Sequence, residues 1–199
     1  MRTLLAVGLT LLAAAAARAD SAARIPWNAE RPLTWEDFAG PVPPRTDADR
    51  VAETAASLSW SYQLALELSS DSCVFRIVDI ESEAAFVPGE SWVRPGHRTA
   101  EVLEHEQGHF DIAEIYHRRF AAGAREFVGQ QHRCSGGSER RATRDAEREV
   151  AGIIGAVYEE IWRQYREQQQ LYDDETRHGI DREAQTEWTR ELASLLATF

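Results

Sequence analysis

The chain has 199 residues, with 22 basic and 33 acidic side chains and a formal net charge of −11. All of the basic residues are Arg. This balance excludes a partner held by phosphate charge, such as nucleic acid or an anionic membrane surface. A 43 % apolar share excludes whole-chain disorder, and the length favours one domain.

The N-terminus opens with Met1-Arg2, continues through an apolar run over residues 4–16, and ends in the small-x-small triplet Ala17-Arg18-Ala19. This is the pattern of a secretory signal peptide spanning residues 1–19. The run is too short to span a bilayer, so no stable membrane insertion is expected after cleavage. Residues 20–199 are expected to remain as a single exported domain, periplasmic or secreted. An oxidising compartment favours joining the only two cysteines, Cys73 and Cys134. On the chain-entropy model a loop of that length contributes roughly 4 kcal/mol.

Residues 20–50, with Pro32, Pro41, Pro43 and Pro44, predict an extended segment anchored by Trp27, Trp35 and Phe38. Residues 57–68 alternate with period two, placing Leu58, Trp60, Tyr62, Leu64, Leu66 and Leu68 on one face of a half-buried strand. After a Ser-rich turn, residues 73–80 are apolar on both faces and predict a central strand. A third short strand is expected within residues 84–93. From Thr99 the period becomes 3.6, with the stripe Val102, His105, His109, Ile112, Tyr116 and Phe120. A second long helix is expected from Ser138 to about Leu171, then a break over residues 173–179. A final helix from near Asp181 should bury Ala184, Trp188, Leu192, Leu195 and Phe199. Strands followed by helices define an α+β chain: a small N-terminal antiparallel sheet, then a helical half.

The chemistry concentrates in His105-Glu106-Gln107-Gly108-His109, an HExxH motif. Two His four residues apart share one helix face and can bind one Zn²⁺ per chain. Glu106 stands about 100° round the helix, where it can act as general base and then general acid. Both His continue the apolar stripe, as a buried metal helix requires. Asp111 departs from the hydrophobic residue usual at its position. A third protein ligand is needed. His117 lies eight residues beyond His109, about 12 Å along a continuous helix, and cannot reach the same ion. Glu114 is also too far along. The candidates are Glu159 or Glu160 on the second helix and His178 in the later break.

Two longer stretches carry a resemblance. Residues 105–114, HEQGHFDIAE, and residues 172–179, YDDETRHG, resemble a bacterial family of predicted secreted zinc-dependent proteases, long a domain of unknown function. Leu33-Thr34-Trp35-Glu36-Asp37-Phe38 and Ala52-Glu53-Thr54-Ala55-Ala56 are similar to its N-terminal signatures, so the likeness covers nearly all of residues 20–199. The resemblance implies a zincin-like fold and a peptidase, without naming a substrate. Taken together, the two blocks favour His178 as the third metal ligand beside His105 and His109, with Glu159, Glu160 and Asp173 as alternatives. They also make Tyr172 a candidate donor to a developing oxyanion. Asp111 and Glu114 are candidates to orient a ligand His.

The resulting expectation is an exported zinc metallopeptidase acting on a peptide or protein substrate. Its metal would be held by His105, His109 and His178, and its catalytic residues would be Glu106 and Tyr172. Two alternatives stand beside it. One is a non-catalytic envelope protein with a closed zinc site, Asp111, Glu114 or Asp173 filling the fourth position. The other is a zinc hydrolase of non-peptide amides.

Overall fold

A computed structural model describes residues 24–46, 50–69, 72–135 and 137–199; the expected signal peptide lies outside the described residues. The chain is α+β, as its pattern predicts. Its strands are β1 (Ile25–Pro26), β2 (Ala52–Glu53), β3 (Ala56–Leu68), β4 (Cys73–Phe86), β5 (Trp92–Val93) and β6 (Gln131–Arg133). Its helices are α1 (Ala100–Arg125), α2 (Glu139–Thr176) and α3 (Arg182–Thr198). One sheet has the order β1-β4-β3, with β6 also on β4; β2 and β5 form a separate antiparallel pair.

The described residues fall into two compact units. The first takes residues 60–82 and 119–162. Its core is Tyr62, Phe75, Ile77, Phe120, Ala124, Ala146, Val150 and Ile154, with Trp60, Leu64 and Leu66 packed against it. Each large apolar side chain removed from water there contributes about 1.5–3 kcal/mol. The period-two face of β3 is thus the buried one. Residues 74–76 of β4 pair antiparallel with β6, placing Cys134 beside Cys73, and the two are joined in a disulfide. Residues 73–80 are not covered on both faces: Val78 is 52 % exposed, while Cys73, Phe75 and Ile77 alternate inward.

The second unit takes residues 24–59, 83–118 and 163–199. Its core contains Phe38, Phe86 and Phe110, in ring contact at 5.1 and 5.9 Å, and Tyr172 against Trp188 at 5.3 Å. Residues 84–86, expected to start a third strand, instead close β4, where Phe86 pairs with Ile25. The third strand proper is only β5, paired with β2. The N-terminal segment is anchored as expected. Trp27 donates its indole N–H to Asp111 at 2.8 Å and lies under the Arg118 guanidinium.

One helix boundary differs from the sequence pattern. α2 continues past Leu171 to Thr176, and the chain then turns through three left-handed residues, Arg177, His178 and Gly179. α3 begins beside Asp181, as expected, and Asp181 caps it by accepting from the Ala184 amide. Phe199, expected to be buried, is 57 % exposed at the chain end, and Gln185 is a fully buried residue of α3.

Candidate metal centre

α1 carries His105 and His109 on one face, and their Nε2 atoms lie 3.2 Å apart. Both are 3.1 Å from Oδ1 of Asp173 on α2. The three residues form a group able to hold a metal ion. Tetrahedral zinc, with nitrogen and oxygen ligands at about 2.0–2.2 Å, spaces its donors by about 3.3–3.5 Å. The donor triangle is close to that spacing, and its chemistry of two imidazoles and a carboxylate suits a borderline metal.

Each imidazole is held from behind by an amide. His105 Nδ1 faces Oε1 of Gln185 at 3.1 Å, and Gln185 Nε2 donates to the Tyr172 hydroxyl at 2.8 Å. That hydroxyl donates in turn to the His105 carbonyl at 3.1 Å. His109 Nδ1 bonds Oε1 of Gln169, whose Nε2 donates to the His109 carbonyl at 2.9 Å. A neutral amide oxygen accepts an N–H, so each amide favours a proton on Nδ1 of its ring, the tautomer that would offer Nε2 to a metal ion. The Tyr172 ring stacks on His105 at 4.6 Å and fixes its plane.

Glycine at two positions permits this packing. A Cβ on Gly108 would stand 2.2 Å from the Tyr172 hydroxyl oxygen. Gly179, at φ +79°, lies against the His105 side chain, where a Cβ would meet another carbon at 3.0 Å.

Glu106 is 3 % exposed, and its Oε2 has no hydrogen-bond partner among the described residues. Burial raises its pKa, with His109 and His105 opposing the rise. Burial would raise Asp173 too, but hydrogen bonds from His105 and His109 hold its carboxyl well below the usual carboxylate range. For His109, burial works against protonation, yet Asp173 and Glu106 outweigh it and the pKa is raised. An orphaned buried carboxylate oxygen beside two imidazoles and an aspartate fits a bound cation and its water.

These groups line a cleft of about 470 Å³, bounded by residues 50–54, by Val102, His105, Glu106 and His109 of α1, and by the Tyr165–Asp173 stretch of α2 with His178. His178, expected as the third ligand, reaches this cleft. Its Nδ1 is 3.1 Å from the same Asp173 Oδ1, with 47 % of its side chain exposed. It is Asp173 that joins His105 and His109 in the metal-holding group. Tyr172 is fully buried and does not line the cleft; its hydroxyl, its pKa raised by burial, is engaged with Gln185 and His105. Glu159 and Glu160 are exposed and outside the group. Glu114 bonds His117 and Arg118, and Asp111 bonds Trp27 and Gln107, so neither faces a ligand His. Asp111 replaces the usual apolar residue because it ties the N-terminal segment to α1. Trp92 is buried in β5 and donates to Glu53.

Gln169 and Gln185 escaped the sequence reading because neither carries charge. A signal for one was present: Gln169 and Asp173 repeat on α2 the four-residue spacing of His105 and His109. No protein-family model, curated protein or solved structure matches the chain.

Proposed function

We propose that the chain is a zinc-dependent metallopeptidase of an oxidising, exported compartment. The observation that carries this reading is the unpartnered Oε2 of buried Glu106 in the cleft that holds the His105–His109–Asp173 group. His105, His109 and Asp173 would hold the metal. Zinc, when bound, supplies a Lewis acid that polarises a carbonyl and eases deprotonation of water near neutral pH. Glu106 takes the proton of the attacking water at Oε2 and hands it to the leaving amine nitrogen, its raised pKa suiting both transfers. Gln185 and Gln169 keep both imidazoles in one tautomer throughout. Residues 50–54 offer an extended wall along which a peptide could lie. The disulfide agrees with export, and no helix among the described residues is long and apolar enough to cross a membrane. The resemblance to predicted secreted zinc-dependent proteases points the same way.

A second reading has its own observation. His178 stands 3.1 Å from Asp173 Oδ1, so a fourth donor is at hand to close the site into a structural one. Metal content by mass spectrometry and peptide hydrolysis separate the two. For the peptidase, wild type and Glu106→Gln each hold about one zinc, hydrolysis falls by at least about a thousandfold in Glu106→Gln, and His178→Ala keeps both metal and turnover. For the structural site, no hydrolysis is found, and His178→Ala loses metal and melting temperature together. Metal lost with Asp173→Ala but kept with His178→Ala makes Asp173 the third ligand; the reverse pattern returns that place to His178.

A further inference from the structure

Among the described residues, the cleft contains a cation that the metal centre and the ion pairs do not account for. Its charged lining residues besides the histidines are Arg50, Glu53, Glu106, Arg166 and Asp173. Glu106 and Asp173 belong to the metal centre. Glu53 accepts from the Trp92 indole at 2.9 Å and faces Arg50 at 3.8 Å. Arg166 is exposed, and its helical neighbours three and four residues away are Trp162, Arg163, Gln169 and Gln170, none of them acidic. By contrast, Arg163 on the same helix pairs with Glu167 at 2.6 Å, and Arg148 pairs with Asp145. Arg119 and Arg125 of α1 also lack an acidic helix neighbour, but of these arginines it is Arg166 that lines the cleft. The surplus of negative charge repels anionic substrates at long range, so a substrate anion needs a local cation to be accepted.

We propose that Arg166 is a specificity-determining residue that binds a carboxylate on the substrate about three residues from the scissile bond. This rests on the peptidase reading above. The register follows from helix geometry. Arg166 precedes Asp173 by seven residues, or about 10 Å along α2. An extended peptide advances about 3.3 Å per residue, so about three residues cover that distance. Gln169 meets His109 while Asp173 meets both His109 and His105, so α2 runs antiparallel to α1 and Arg166 lies beyond the His109 end of the metal group. The carboxylate has two possible sources, an internal Asp or Glu side chain or the substrate's C-terminus, and both offer a guanidinium the same two oxygens.

The test uses matched peptides with Glu or Gln at each position on both sides of the cleaved bond, together with matched C-terminal acids and amides. Zinc-loaded wild type, Arg166→Gln, Arg166→Glu and the control Arg163→Gln are assayed for hydrolysis, and binding is read by fluorescence anisotropy on Glu106→Gln with and without Arg166→Gln. The acid is expected to be favoured about three- to tenfold at one position near the third residue, more at low salt. That preference disappears in Arg166→Gln, inverts in Arg166→Glu and persists in Arg163→Gln. If it follows the C-terminal acid rather than internal Glu, the chain end is the source. Equal handling of acidic and neutral peptides by wild type, or a preference that survives Arg166→Gln, overturns the proposal while hydrolysis itself leaves the peptidase reading standing. Acid-dependent binding without hydrolysis by any loaded protein supports the carboxylate site and overturns the peptidase; neither binding nor hydrolysis overturns both.

Discussion

The side-chain amide of Gln185 is shared between His105 and Tyr172: its Oε1 lies 3.1 Å from His105 Nδ1 and its Nε2 donates to the Tyr172 hydroxyl at 2.8 Å. One fully buried residue of α3 thereby favours the tautomer in which His105 would offer Nε2 to a metal ion and sets the position of the ring stacked on it. Gln185→Leu removes both bonds in a site without water access and should weaken zinc binding about 10- to 100-fold. Gln185→Glu keeps an acceptor for Nδ1 and should recover most of that affinity. Competition with a chromophoric chelator measures it; equal affinities in wild type and Gln185→Leu would remove Gln185 from the site.

Gly108 is a second consequence of Tyr172. The hydroxyl reaches the His105 carbonyl across the place where a Gly108 side chain would stand, with Cζ 2.6 Å from the Cβ position. Gly108→Ala should therefore destabilise the protein by about 1–3 kcal/mol despite the better helix propensity of Ala. Combining it with Tyr172→Phe removes the nearer of the two clashing atoms and should cost less than the sum of the single changes. Urea denaturation of the four proteins gives the coupling, and strict additivity would contradict the close approach.

Much of this centre was legible locally. The spacing of His105 and His109 needs only a helix, and the 3.6 period from Thr99 supplied one. Cys73 and Cys134 were legible because the chain has no others. Asp173 was harder. The pattern ended the second helix near Leu171, leaving Asp173 in a loop, whereas helix continues to Thr176 and turns Gln169 and Asp173 toward α1. His178 was favoured as a ligand by the resemblance that the two blocks carry; the left-handed residues 177–179 bring its Nδ1 to 3.1 Å from Asp173 Oδ1. Which acid meets the imidazoles is decided by how α2 packs on α1, a tertiary fact with no local signature. Gln185 was invisible for the same reason, being an uncharged residue whose importance lies wholly in its partners.

The disulfide closes the first unit's sheet at β4 and β6, where Cys134 N–H also donates to the Cys73 carbonyl at 3.0 Å. Replacing both cysteines by Ser should lower stability by about 2–5 kcal/mol, chiefly by freeing the unfolded chain. Denaturant midpoints with and without reductant check this: reductant should lower the wild-type midpoint to near that of the double variant and leave the variant unchanged. A wild-type midpoint indifferent to reductant under unfolding conditions would contradict it.

Asp111 gives the pH dependence its sign. Burial raises its pKa, against hydrogen bonds from Trp27 and Gln107 that favour the ionised form, and Glu114 adds to the rise. A carboxyl whose folded pKa lies above its unfolded value of about 3.9 stabilises the fold fully below that value. The contribution is lost as pH rises through the folded pKa. At neutral pH the charge is therefore a cost retained for the sake of two bonds, both made to Oδ1. Asp111→Asn keeps an oxygen acceptor for Trp27 and Gln107 and removes the ionisation. Its melting temperature should exceed wild type at pH 7, with the gap closing as pH falls toward about 4. Asp111→Ala should melt below wild type throughout, because two partly buried N–H groups lose their acceptor. Thermal melts from pH 4 to 8 measure all three proteins, and an Asn variant that gains stability on acidification relative to wild type would reverse the assigned sign.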